Sequence, residues 1–172
     1  KVKSMVKVNL QTADSVKSGE KRRWKANLTR PNDVLDWLEG YPEATVSEAI
    51  RCVMNWGNAS RLKKQNRGLC SAYEMLVEHF GGLGNCDNDL LTRYAWSLFH
   101  EKEHLEARQV SEHIYSTHPS DPHNGALLNR IYERDEDWTL MKEVCHSVMA
   151  EVPSDVSANA TEAHARLMLG ES

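Results

Sequence analysis

The sequence lacks any apolar run that approaches the roughly 18 residues of a membrane-spanning helix. Its 172 residues include only nine glycines and five prolines, which excludes collagen-like and proline-rich disordered compositions. Apolar residues account for 40% and charged residues for 27%, an ordinary balance for a soluble chain that is long enough to bury a core. The composition therefore predicts a globular domain without a membrane span.

The chain also lacks an initiator methionine and the apolar core of a secretion signal, since it begins Lys1-Val2-Lys3-Ser4. We therefore expect it to be a piece of a longer protein or a processed product. The candidates for the parent protein are an enzyme or an assembly factor that has this chain as its accessory region.

Cysteine pairs with metal-binding spacing are missing as well. The four cysteines, Cys52, Cys70, Cys86 and Cys145, form no CxxC motif and lie in or beside apolar helical stretches, where a free thiol acts as a small hydrophobe. This pattern predicts reduced thiols and a cytoplasmic location. We also expect no cofactor, because the glycine-rich segment 81–84 follows a predicted helix rather than a strand and lacks the P-loop lysine.

Charge is distributed unevenly, although the net charge is only −4. Residues 1–70 contain 14 Lys and Arg against 7 Asp and Glu, whereas residues 71–172 contain 7 against 18. One interpretation is two solvated faces that partly neutralise each other in the fold. The other is a basic arm for an anionic partner, attached to an acidic scaffold.

Two basic stretches provide the features of a nucleic-acid-binding domain. Arg22–Lys25 and Arg61–Arg67, with Trp24 and Trp56 nearby, have the residue types that contact phosphates and stack on bases. Neither stretch contains a recognisable nucleic-acid-binding motif, and the whole chain is acidic. A helical nucleic-acid-binding domain is therefore our second alternative function, and we do not expect nucleic acid to be the partner.

The first half of the chain is irregular. Residues 1–30 predict a basic arm or linker, in which the alternation of Val6–Leu10 is typical of a lone strand. Residues 31–87 predict an N-terminal helical part with a short helix up to Gly40. A second helix follows the capping-box spacing of Thr45 and Glu48 and should end at 57–58. A third covers about Leu69–Phe80.

Residues 88–172 are more regular, and the short loops predict antiparallel neighbours. Two segments 34 residues apart, His118-Pro119-Ser120-Asp121 and Val152-Pro153-Ser154-Asp155, each follow a helical stretch, as expected for stacked helix pairs. The apolar periodicity and the caps predict helices at about Leu90–Phe99, Leu105–Tyr115, Pro122–Glu133, Trp138–Glu151 and Val156–Leu169.

In this region the chain resembles the tetratricopeptide repeat family, whose 34-residue helix pairs have the pattern W-x2-L-G-x2-Y, A-x3-F and P. About two and a half degenerate units cover residues 88–172, and the last helix would cap the array. Upstream, Ala49 and Ala72 resemble an earlier pair with a basic insertion. The matching positions are Leu91, Tyr94, Ala95, Leu98, Ala107, Ser111 and Pro119 in the first unit and Gly125, Leu128, Asn129, Tyr132, Met141, Cys145 and Pro153 in the second.

The resemblance implies an all-α fold of antiparallel helix hairpins stacked as a short α-solenoid. It also implies a non-catalytic scaffold that binds a protein or peptide in a groove formed by the first helix of each pair. Trp96 and Phe99 are then either an aromatic anchor or core residues, and Arg130 would pair with a carboxylate. The groove positions are Thr92, Trp96, Phe99, His123, Ala126, Arg130, Glu133, Ser157 and His164.

Some members of this family hold a chaperone's terminal carboxylate with a Lys/Asn clamp. Thr92 and Trp96 occupy the corresponding first-helix positions, so we do not expect a chaperone tail as the partner. The oligomeric state remains open.

A zinc hydrolase is the first alternative function, because His100-Glu101-Lys102-Glu103-His104 reads HExxH. On a helix, this spacing puts two imidazoles on one face with a glutamate that can activate water. However, the two middle residues are charged, and the repeat phase puts the segment at a turn. The metal alternative therefore requires His100 and His104 to share a helix, with a third ligand such as Glu133 or Glu136.

Overall fold

The structure, a computed structural model, describes the backbone of residues 28–62 and 68–171 and the side chains of these ranges except residues 58–62. All regular secondary structure in these ranges is α-helical, which confirms the predicted all-α class. The predicted strand at Val6–Leu10 and most of the basic arm lie outside the described residues. The helices are α1 Asp33–Gly40, α2 Val46–Leu62, α3 Leu69–His79, α4 Asn88–Glu101, α5 His104–Thr117, α6 Pro122–Asp135, α7 Trp138–Glu151 and α8 Val156–Met168.

The chain divides into two compact units, Lys1–Asn66 and Arg67–Ser172. The first unit contains α1 and α2, and the second contains α3 to α8. The boundary between the two units lies just before α3. The predicted repeats begin later, at residue 88. Helix α3 therefore belongs to the same unit as the repeats, and it packs against α4. Within the described ranges, no helix combines the length and apolarity that a bilayer crossing requires.

In the first unit, the predicted capping box opens α2. The Thr45 N–H donates to the Glu48 carboxylate at 2.9 Å, and the Glu48 N–H donates to the Thr45 hydroxyl at 3.2 Å. The predicted end of this helix at residues 57–58 is wrong, because α2 continues to Leu62. A single glycine inside a helix costs only about 1 kcal/mol, and Gly57 is buried, so packing outweighs it.

In the second unit, each helix packs against the next one along the chain, and α4/α5 and α6/α7 form the predicted antiparallel hairpins. In addition, α4 contacts α6 and α6 contacts α8, so the first helices lie side by side. The predicted bounds of these helices differ from the observed ones by no more than about two residues, the usual scatter at helix ends.

Aspartate N-caps recur at 34-residue intervals in this unit. Asp87, Asp121 and Asp155 precede α4, α6 and α8, and each carboxylate accepts a backbone N–H of the first turn at 2.7–2.9 Å. Before α6 and α8, the His-Pro-Ser-Asp and Val-Pro-Ser-Asp segments form the same turn, in which the Asp N–H donates to the first residue's carbonyl at 3.2 and 3.0 Å. These caps set where each first helix begins.

The turns that close the first helices recur with the same period. Lys102, Glu136 and Gly170 follow α4, α6 and α8 with φ of 70°, 60° and 71°, the left-handed conformation that ends helices. In each case the next residue's N–H donates back to a carbonyl near the helix end at 2.8–2.9 Å. This backbone repeat is independent of the identities of the three residues.

The small buried residues lie at different positions in the two hairpins. Ala95 and Ala107, the small positions of the first hairpin, are completely buried. The second hairpin has Asn129 and Met141 at these positions, and Gly125 is small instead: a Cβ there would lie 2.8 Å from Cγ2 of Val148. The small residue has therefore moved one turn along α6.

Ion pairs tie the second helix of each hairpin to the turn of the next unit. The Arg108 guanidinium of α5 pairs with Asp135, the last residue of α6, at 2.9 Å and with Asp137, in the turn that follows, at 2.7 Å. One period later, Lys142 of α7 pairs with Glu171 at 2.7 Å. These contacts resist sliding of one hairpin relative to the next.

The four cysteines, all of which lie in described residues, are free thiols. Burial raises the pKa of Cys52, Cys70 and Cys145 to about 11, so these thiols stay protonated at neutral pH.

The Gly125→Ala variant should lower the free energy of unfolding by about 1–2 kcal/mol, although alanine has the higher helix propensity. The added methyl would collide with a methyl of Val148, a β-branched side chain that is stiff in a helix. Urea denaturation measures this change in the free energy of unfolding. Gly84→Ala is the control, because no atom lies within 4 Å of a Cβ there. The cost of Gly125→Ala should disappear when it is measured in a Val148→Ala background, and a Gly125→Ala protein as stable as the parent would contradict the close approach.

Acid should weaken the fold through the Arg108 cluster. Burial alone would raise the pKa of Asp135, but hydrogen bonds from Arg134 and Arg108 outweigh it and lower that pKa. The resulting stability is present above the unfolded value of about pH 4 and is lost as the pH falls through the lower folded value. Arg108→Met should cost about 1–2 kcal/mol at neutral pH and make the acid dependence shallower. Urea denaturation as a function of pH measures both, and parallel curves for the two proteins would refute the assignment.

Candidate binding groove

The surface formed by α4, α6 and α8, here called the groove, is built from positions that repeat every 34 residues. Thr92 of α4 corresponds to Ala126 and Ala160, and Trp96 corresponds to Arg130 and His164. Because the first helices lie side by side, these equivalent positions form two rows across the groove. The apolar faces of the same helices are turned into the hairpins, so these positions lie at the surface, apart from Thr92, which is buried.

The first cavity, of about 410 Å³, lies between the first half of α4 and the start of α6. Its wall contains Thr92, which is 6% exposed, and the Asp89–Arg93 ion pair at 3.0 Å. The cavity is lined by Asn88, Asp89, Thr92, Arg93, Trp96, Asp121 and His123.

The second cavity, of about 550 Å³, lies along α6 and α8. Its polar wall includes Glu133 and His164, whose carboxylate and imidazole atoms are 3.9 Å apart. Trp96 borders this cavity as well as the first. The second cavity is lined by Trp96, Ala126, Asn129, Arg130, Glu133, Met141, Ser157, Ala160, Thr161 and His164.

The half-buried Trp96 ring is the centre of an aromatic and cationic cluster. It stacks on His100 with centroids 5.6 Å apart and meets Phe99 edge to face at 6.2 Å. The Cζ atom of Arg130 lies 5.5 Å from the Trp96 ring centroid, within cation–π range. The Arg130 side chain is exposed and forms no ion pair with a carboxylate of the described residues. Its charge is therefore held in place by the ring but not neutralised.

The structure brings most of the predicted groove residues together. Thr92, Trp96 and His123 line the first cavity, and Trp96, Arg130 and Glu133 line the second. Phe99 lines neither cavity, because its ring lies 5.2 Å from that of His104 at the hairpin turn. The role of the predicted groove residues in binding stays a prediction.

Sequence reasoning missed several lining residues, of which Met141 is the most instructive. Met141 belongs to a second helix, α7, yet it lines the second cavity. The sequence did contain a signal for this: methionine stands at residue 141, where the equivalent position of the first hairpin is the small residue Ala107. Asn129, at the other small position, also lines this cavity, and its amide donates to the Cys145 sulfur at 3.4 Å.

The HExxH segment does not form a helical face. Helix α4 ends at Glu101, Lys102 takes φ 70°, and His104 begins α5. The His100 ring stacks on Trp96, and the Glu101 carboxylate accepts the Cys70 N–H at 3.0 Å. The two histidines therefore lie on different helices. Among residues 28–62 and 68–171, no group of three or more His, Cys, Asp or Glu side chains is arranged to hold a metal ion.

Neither a scan against protein-family models nor searches of curated proteins and of solved structures returned a match for this chain. A function must therefore be argued from the geometry of the groove.

Elemental analysis of the purified protein should find zinc well below one equivalent per chain, and His100→Ala should not change it. The physical reason is that the turn at residue 102 separates the two imidazoles that the zinc motif needs on one helix. Stoichiometric zinc in the parent protein that disappears in His100→Ala would restore the zinc hydrolase alternative.

Proposed function

We propose that the second unit is a tetratricopeptide-like, non-catalytic module of a larger protein, and that its groove binds a peptide segment of a protein partner. The observation that carries this proposal is that equivalent positions of α4, α6 and α8 line two cavities that share Trp96 in their walls. Repeat proteins commonly use the surface formed by equivalent helices for binding.

The size and composition of the cavities favour a peptide. Volumes of about 410 and 550 Å³ lie within the range of small-ligand pockets, so each cavity has room for one or two side chains. Two adjoining cavities of this size suit consecutive side chains of an extended segment. Tryptophan and arginine are also the residues that most often dominate binding energies at protein interfaces.

The Trp96–Arg130 pair gives the groove a defined preference. The ring orients the guanidinium and leaves its hydrogen-bond donors available, since Arg130 has no carboxylate partner among the described side chains. A carboxylate of the peptide would form the charge-assisted pair that Arg130 lacks. An apolar or aromatic peptide residue would pack against the remaining Trp96 surface.

The test begins with selection of peptides from a random display library on the immobilised protein. Affinities of the selected synthetic peptides are then measured by isothermal titration calorimetry. We expect Trp96→Ala and Arg130→Glu to weaken binding at least about tenfold, because they remove an aromatic anchor and reverse the unneutralised charge. Trp96→Phe, which keeps an aromatic ring, should have an intermediate effect.

The matched control for Arg130→Glu is Lys102→Glu. Lys102 is exposed and lines neither cavity, and glutamate tolerates its backbone conformation, since Glu136 takes the same one a repeat later. The control should bind selected peptides like the parent protein. Circular dichroism must show that all variants remain folded. Unchanged affinity in both Trp96→Ala and Arg130→Glu would refute the groove assignment.

A further inference from the structure

We propose that the second cavity recognises a dipolar pair of peptide side chains, with a carboxylate bound at Arg130 and an ammonium or guanidinium group bound at Glu133. This inference rests on the proposed function, because it concerns the same groove and includes the carboxylate at Arg130. It adds a basic residue to the ligand and a spacing: the acidic and basic residues stand two positions apart in an extended segment.

The first observation is a pair of opposite charges that are held apart. Arg130 and Glu133 lie one turn apart on α6 and line the same cavity, where side chains at this spacing are close enough to pair. They form no ion pair with each other. The Arg130 guanidinium lies toward α4, with its Cζ atom 5.5 Å from the Trp96 ring centroid, and the Glu133 carboxylate lies toward α8, 3.9 Å from the His164 imidazole. A ligand of one sign would be attracted by one of the two charges and repelled by the other.

The second observation is that the Glu133 carboxylate has no cationic partner. The side chain is 57% exposed and pairs with no lysine or arginine of the described residues. Its contact with His164 is too long for a hydrogen bond, and a neutral imidazole does not balance its charge. A basic group of the ligand would therefore gain a charged partner at Glu133 without displacing one. The hydroxyls of Ser157 and Thr161, which line the same cavity from α8, are further acceptors for its N–H groups.

The shape of the cavity fits both side chains of the pair. Its volume is about 550 Å³, and Ala126, Met141 and Ala160 add apolar surface to its wall. The aliphatic stem of a lysine or arginine packs on such a surface while its charged end reaches a polar partner. In an extended segment, side chains two residues apart lie on the same face with their Cα atoms about 6.6 Å apart. That distance is similar to the roughly 5–6 Å between side chains one turn apart on a helix, such as those of Arg130 and Glu133.

The experiment compares acetylated and amidated tripeptides on the full chain at pH 8, where imidazoles are neutral. The dipolar probe Asp-Ala-Lys is tested together with the reversed order, Lys-Ala-Asp. In the single-charge probes, norleucine replaces lysine or asparagine replaces aspartate. We expect one of the dipolar probes to shift the indole N–H of Trp96 and the backbone N–H of His164 in two-dimensional nuclear magnetic resonance titrations. It should bind about threefold more tightly than either of its single-charge counterparts. Dipolar probes that bind no more tightly than these counterparts in either order would overturn the proposal.

Variants assign each charge of the probe to its partner. Glu133→Gln removes the charge of an exposed side chain at nearly constant size, so it should weaken the dipolar probe about threefold and leave the norleucine probe unchanged. Arg130→Gln should weaken both of these probes, because both contain aspartate. The matched control is Glu143→Gln, since Glu143 is an exposed glutamate of α7 that lines neither cavity. An equal loss for both probes in Glu133→Gln, or no loss for either, would overturn the assignment of the basic group to Glu133.

The outcomes also distinguish this inference from the proposed function. Peptides selected from the library that depend on Trp96 and Arg130 but bind Glu133→Gln like the parent protein would refute the dipolar pair and leave the groove function standing. Binding of a dipolar probe that requires both Arg130 and Glu133, together with failure to select any peptide, would refute the groove function and leave the dipolar site standing.

Discussion

The contact of each helix with the next one along the chain is the interaction on which the second unit depends. Its helices contain 11 to 14 residues, a length at which an isolated helix is marginal in water. Burial of one face in a neighbour is what makes each helix stable. Residues such as Leu90, Ile114 and Leu127, which are completely buried, provide this stabilisation. The groove is the surface that remains when these faces have been buried.

Polar contacts at the helix ends fix the positions of the groove residues relative to one another. The aspartate caps and the left-handed turns fix where each first helix begins and ends, and the Arg108 and Lys142 ion pairs tie successive units. Because all of these recur every 34 residues, Trp96 and Arg130 come to adjacent places on neighbouring helices. A one-residue slip in any turn would rotate the following helix by about 100° and separate them.

Much of the fold and of the groove could be predicted from the sequence, because the sequence signals for them are local. Asp121 followed by Pro122 is a helix start by its own chemistry, and α6 begins there. Most of the predicted groove residues line the two cavities, since a correct period assigns each helix face. Gly57 misled the prediction because burial, which depends on distant residues, outweighed its low helix propensity. Phe99 lines neither cavity, because its ring position depends on the contact with His104 across the turn.

By itself, the sequence determined the helical class, the period, the caps and the phase of each helix, because these follow from residue chemistry within about one turn of helix. Only the tertiary structure decided that Gly125 is the point of close approach to Val148, that Met141 enters the second cavity and that Thr92 is left without a hydrogen-bond partner. These features depend on distances between side chains of different helices. Such distances are set by the packing of whole helices, which no local pattern encodes.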